Sequence, residues 1–88
     1  MAMVWIPALM RDLTGGLDRV EVPGHTVREI VDNLGADYPG MQERLCVNEQ
    51  LSPRLTVVVD GQVSTLRLNQ PVQDDSQVRF MPVMHGGC

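Results

Sequence analysis

The sequence predicts an α+β domain in which one main helix packs on a mixed sheet of four or five strands. Three observations lead there. Val27, Ile30, Val31 and Leu34 fall at i, i+3, i+4 and i+7, the single apolar stripe of an amphipathic helix. Short runs with strand character flank that stripe on both sides, the clearest being the β-branched Leu55–Val59. The length of 88 residues allows one small core. A chain of that size buries roughly 60–65% of the surface it exposes when unfolded. A lone helix with one stripe must cover one face of one sheet.

The elements follow in order. Residues 3–10 read as a strand, with Val4 and Ile6 on one face and Met3 and Trp5 on the other. Thr14-Gly15-Gly16 is a turn, and Arg19–Val22 alternates polar with apolar, completing a hairpin. Thr26 to Glu29 fits a capping box, in which the Thr26 hydroxyl accepts from the Glu29 amide and the Glu29 carboxylate reaches back to the Thr26 amide. The helix then spans residues 27–34 or one turn more, with Gly35 placed as a left-handed stop. Tyr38-Pro39-Gly40 turns the chain, Met41–Leu45 allows a short helical turn, and residues 48–53 read as loop. Leu55–Val59 is a central strand, Asp60-Gly61 a turn and residues 63–68 a further strand. Asp74-Asp75-Ser76 turns the chain into a last strand over residues 78–83. The inward set is Val4, Ile6, Val20, Val22, Val27, Ile30, Val31, Leu34, Leu55, Val57, Val59, Val78 and Phe80. This order of elements is that of the β-grasp, or ubiquitin-like, architecture. The domain takes residues 1–84. Residues 85–88, ending Gly86-Gly87-Cys88, form a flexible tail, because glycine loses the most entropy on ordering.

Composition narrows the function. The net charge of −4 speaks against a nucleic-acid footprint. No stretch is apolar for long enough to span a membrane, and the N-terminus lacks the marks of a signal peptide, so a cytoplasmic location is expected. Cys46 and Cys88 do not form a disulfide framework. Cys46 reads as a small apolar filler. There is no P-loop, no Gly-x-Ser-x-Gly and no Cys-x-x-Cys. A core this small leaves no room for a deep substrate cavity, so the chain is not expected to be an enzyme. All seven basic residues are arginine, and no lysine amine is present to accept an acyl group.

Taken together, these residues resemble the MoaD/ThiS family of ubiquitin-like sulfur carriers over nearly the whole chain. The resemblance rests on Ile6-Pro7 with Leu9 and Arg11, on Leu13-Thr14-Gly15-Gly16, and on Thr26-Val27. It continues through Tyr38-Pro39-Gly40 with Arg44-Leu45, Val57-Val58-Val59-Asp60-Gly61, and residues 78–82 followed by Gly86-Gly87. The ordered set is specific where no single piece is. It is most similar to the carriers of cysteine synthesis, which share the Leu-Thr-Gly-Gly turn.

The resemblance implies a chemistry. In such carriers an E1-like enzyme uses ATP to adenylate the C-terminal glycine carboxylate. The acyl-adenylate becomes a thiocarboxylate, which gives its sulfur to an acceptor through a synthase. Gly87 would carry the adenylate and then the thiocarboxylate, with Gly86 beside it. Trp5, Met81, Pro82, Met84 and His85 would contact the partner. The chain would hold no metal and no cofactor of its own, since ATP and zinc belong to its partners. The alternatives are a ubiquitin-like modifier joined to lysines of target proteins, or a plain interaction module.

Two departures stand out. The family's Asp-Gly-Asp turn before the last strand is here Asp74-Asp75-Ser76, and Gly87 is followed by Cys88. With Cys88 attached, Gly87 has no free carboxylate. Cys88 reads as a pro-residue removed by a zinc-dependent JAMM-type metalloprotease. It also has the covalent structure of a cysteine product still amide-linked to the carrier. Two further readings are a working thiol and an inert terminal residue. His85-x-x-Cys88 offers only two metal ligands, against about four in a stable site.

Overall fold

The sheet is built around the two ends of the chain. The structure, a computed structural model, describes residues 1–48 and 50–82. Strand β1 (Ala2–Trp5) pairs antiparallel with β2 (Arg19–Val22) and parallel with β7 (Gln77–Pro82). Strand β5 (Leu55–Val59) pairs antiparallel with β7 on one side and with β6 (Gln62–Val63) on the other. The sheet order is therefore β2-β1-β7-β5-β6, five strands of mixed direction with the last strand in the centre. Helix α1 (Val27–Asp37) covers one face, which makes this a β-grasp fold.

The expected inward set is buried almost completely, with Val4, Val27, Ile30, Leu34, Val57 and Val78 fully enclosed. Val20 is the exception; it is half-buried because β2 is an edge strand. The core is wider than the strand and helix patterns suggest. Ala2, Met10, Met41, Leu45, Leu51, Leu68 and Val72 join it. Each of these side chains other than Ala2 contributes roughly 1.5–3 kcal/mol when fully buried.

Helix α1 starts as the capping pattern requires and ends later. The Glu29 N–H donates to Thr26 Oγ1 at 3.2 Å. The Glu29 carboxylate, however, accepts from the His25 N–H at 2.9 Å and not from Thr26. Gly35 does not stop the helix. The chain stays helical to Asp37, and the Tyr38 N–H caps it on the Leu34 carbonyl at 2.9 Å. Gly35 instead makes room for α2 (Met41–Leu45): a Cβ there would lie 2.9 Å from Gln42 Cβ.

Three other expectations change. The strand over residues 3–10 ends at Trp5, and Ala8–Thr14 winds into a 3-10 helix. Pro7 has no N–H for the ladder, and its carbonyl accepts instead from the Met10 N–H. The loop at residues 48–53 includes part of a small two-stranded ladder, β3 (Cys46–Val47) with β4 (Gln50–Leu51). The strand over residues 63–68 shrinks to β6, because Ser64 Oγ accepts from the Leu66 and Arg67 N–H groups and bends the chain into the 3-10 turn Arg67–Asn69. That bend sends Leu68 into the core. The last strand begins one residue early, at Gln77, and Val83 lies outside the described residues.

The turn into β7 is pinned by side chains. Ser76 Oγ donates to Asp60 Oδ2 at 2.9 Å and accepts from the Gln73 N–H at 3.0 Å. Asp60 Oδ1 accepts from the Gln77 N–H at 2.8 Å. Ser76 is 1% exposed. A serine thus organises this turn where the family resemblance leads one to expect an aspartate.

Candidate functional site

The sheet face away from α1 is open, and its composition follows from the register. Reading across the strands, Arg19, Trp5, Arg79, Val58 and Val63 stand in one row. Trp5 is central and half-buried. Its Nε1–H donates to Gln77 Oε1 at 2.8 Å. Arg19 from β2 and Arg79 from β7 both stack on its ring, with Cζ 5.3 Å and 4.6 Å from the ring centroid. Such contacts fix an indole and orient two long side chains.

Apolar surface continues beside this row. Met81 pairs with Thr56 and is exposed, as is Val63 at the sheet edge. Met3 is half-buried on the same face. An exposed group of large apolar side chains around a tryptophan makes this face the candidate contact surface. Among the described residues no three His, Cys, Asp or Glu side chains gather to hold a metal ion.

Of the residues singled out from sequence, Trp5 and Met81 come to this face. Pro82 ends the described part of β7, opposite Leu55. Met84, His85, Gly86, Gly87 and Cys88 lie outside the described residues. Arg79 lies over the Trp5 ring. Arg19, Gln77, Val58 and Val63 were not singled out. The signal that finds them is cross-strand register, which period-2 alternation within one strand does not contain.

Cys46 lies elsewhere, in a cleft of about 420 Å³ lined also by Arg28, Asp32, Gln42 and Leu68. Burial pushes its thiol above the ordinary value, Asp32 adds to this and Arg28 partly opposes it. A thiol held protonated is a poor nucleophile, which fits a packing role. No helix among the described residues is long and apolar enough to cross a membrane.

Comparison with known proteins adds the following. The ThiS family model matches residues 4–87. The chain is similar to one in the crystal structure of the Amycolatopsis orientalis BexX/CysO complex, at 31% identity and TM-score 0.90, over 99% of this chain and 100% of that one. It is similar to Mycobacterium tuberculosis CysO, an antigen, at 26% identity and TM-score 0.88, over 96% of this chain and 100% of that one. Its fold is also that of SAMP1 from Haloferax volcanii, at 21% identity and TM-score 0.73, over 98% of each chain. Among curated proteins compared by sequence, none matches.

Proposed function

The chain belongs to the ThiS family of ubiquitin-like sulfur carriers, and from that membership we propose that it carries sulfur as a thiocarboxylate on Gly87. The observation that supports this most is where the family match stops. It runs through Gly86-Gly87 and leaves Cys88 beyond it. In this reading a JAMM-type metalloprotease hydrolyses the Gly87–Cys88 amide, releasing cysteine and a free Gly87 carboxylate. An E1-like enzyme then joins that carboxylate to AMP from ATP, with pyrophosphate leaving. A sulfide-level donor displaces AMP, and the resulting thiocarboxylate attacks an acceptor on a synthase.

Each step suits the residues. A carboxylate is inert to substitution until it becomes a mixed anhydride. The nucleotide site belongs to another protein, so the reacting terminus must be threaded into it. Two glycines place no side chain in a narrow channel. The Trp5 face provides the grip, with Arg19, Arg79 and Met81 around it. The chain is then cargo for enzymes, with Pro82, Met84 and His85 leading from that grip to the reacting end.

The test is ATP–pyrophosphate exchange by the E1-like enzyme of the same organism. The chain ending at Gly87 should support exchange, and the chain retaining Cys88 should not. Exchange with neither form would sink the proposal. Equal exchange with both would remove the need for cleavage.

A further inference from the structure

The cleft beside Cys46 joins an apolar interior to two opposite charges. Val31 and Leu68, both buried, and the half-buried Cys46 line its inner part. Arg28 and Asp32 line it from α1, and both are exposed. Residues four apart on a helix have Cβ atoms about 5–6 Å apart, and an arginine and an aspartate so placed can pair. These two do not. Among the described residues the Arg28 guanidinium takes part in no ion pair or hydrogen bond. Asp32 Oδ1 accepts from Gln42 Nε2–H at 2.8 Å, and Oδ2 accepts from none of the described residues. Both charges reach one point in the cleft. Burial has the largest effect on the Cys46 thiol, while Asp32 pushes its pKa up and Arg28 pulls it down.

The walls are fixed by contacts within the chain. The Gln42–Asp32 bond ties α2 to α1, which Gly35 allows to approach closely. The Arg67 guanidinium donates to the Ser52 and Leu55 carbonyls at 2.8 Å and 2.9 Å, which holds the turn bearing Leu68 against the segment after β4. Walls set in advance lower the ordering cost of binding.

We propose that this cleft binds a small zwitterionic α-amino acid: Arg28 takes the carboxylate, Asp32 takes the ammonium group, and Val31, Leu68 and Cys46 receive a short side chain. The volume of about 420 Å³ lies within the range of small-molecule sites, roughly 300–1,000 Å³. An α-amino acid carries its two charges on groups joined through one carbon, which matches a cation and an anion one helical turn apart. A simple anion would be drawn to Arg28 and repelled by Asp32, and a simple cation the reverse. Only a ligand bearing both charges gains from both residues. The site contains no residue of the Trp5 face, and this inference goes beyond the carrier reading without resting on it.

The test is titration of the isotope-labelled full chain with L-alanine and with L-serine, followed by amide NMR. Both should bind saturably with a dissociation constant of about 1 mM. The amide signals of Arg28, Asp32, Cys46 and Leu68 should shift together. N-acetyl-L-alanine lacks the ammonium charge, and L-alaninamide lacks the carboxylate. Each should bind about tenfold or more weakly, as should L-alanine to Arg28→Gln and to Asp32→Asn. Both variants alter exposed side chains, and amide spectra unchanged away from the cleft show that they fold. No saturable shift, shifts that spare the cleft, or equal binding of an analogue that lacks one charge would overturn the proposal. Any of these leaves the carrier reading standing, since pyrophosphate exchange tests that reading separately.

Discussion

Trp5 is a single residue on which the open face is organised. Its indole is bonded to Gln77 and flanked by Arg19 and Arg79, so truncation removes three contacts at once. Central tryptophans in interfaces cost about 2 kcal/mol or more on truncation. Trp5→Ala should therefore weaken binding to the adenylating enzyme about 30-fold or more, measured by titration, while the folded state persists by circular dichroism. Cys46 gives a residue-scale prediction of another kind. Burial first, and Asp32 second, raise its thiol pKa. The folded state thus favours the neutral thiol. That stability is fully present below the unfolded thiol's pKa and is lost as pH rises through the folded value. Cys46 should alkylate with iodoacetamide more slowly than free cysteine at mildly alkaline pH, and unfolding by denaturant should abolish the difference.

At the scale of elements, two contacts decide how the helices and the β7 turn are held. Gly35→Ala gains helix propensity, worth up to about 1 kcal/mol. It also drives a Cβ to 2.9 Å from Gln42 Cβ, an atom too close to the backbone to swing aside. Overpacking costs about 1–3 kcal/mol. The clash wins, and Gly35→Ala should lower stability by about 1 kcal/mol in urea titration. Ser76→Ala removes the donor to Asp60 and the acceptor for the Gln73 amide at a buried site. It should cost about 1–3 kcal/mol in the same measurement.

These elements also show what the sequence alone can reveal. The stripe at Val27, Ile30, Val31 and Leu34 and the run Leu55–Val59 declare helix and strand, because periodicity is a local property. A single sheet followed from there being one stripe to bury, and its mixed strand directions came with the β-grasp order of elements. Gly35 misled because a stop and a close approach both ask for glycine, and the close approach involves Gln42, on the next helix. Residues 63–68 misled because Ser64 bonds its own backbone neighbours, a local choice that tertiary burial of Leu68 supports. At the candidate site, Trp5 and Met81 were legible as residues, while the Gly-Gly ending lies outside the described residues. The Arg19–Trp5–Arg79 row was not, since it depends on the register of β2 against β1 and on the pairing of β1 with the distant β7.

At the scale of the whole molecule, a chain of 88 residues builds one hydrophobic core and leaves Val63 and Met81 exposed on the open face. The cleft at Cys46 lies among α1, α2 and the β3–β4 ladder, away from the Trp5 face. On the proposed reading the molecule works by delivery: a β-grasp body for recognition, with Gly86-Gly87 for chemistry on another protein. Placing the last strand, β7, at the centre of the sheet anchors the segment that leads to that terminus. The most direct measurement is the intact mass of this chain recovered from its native cells under sulfur limitation. We expect a chain short of Cys88, a fraction of it with one oxygen replaced by sulfur. A chain that keeps Cys88 under every growth condition would contradict processing at Gly87 and the carrier role built on it.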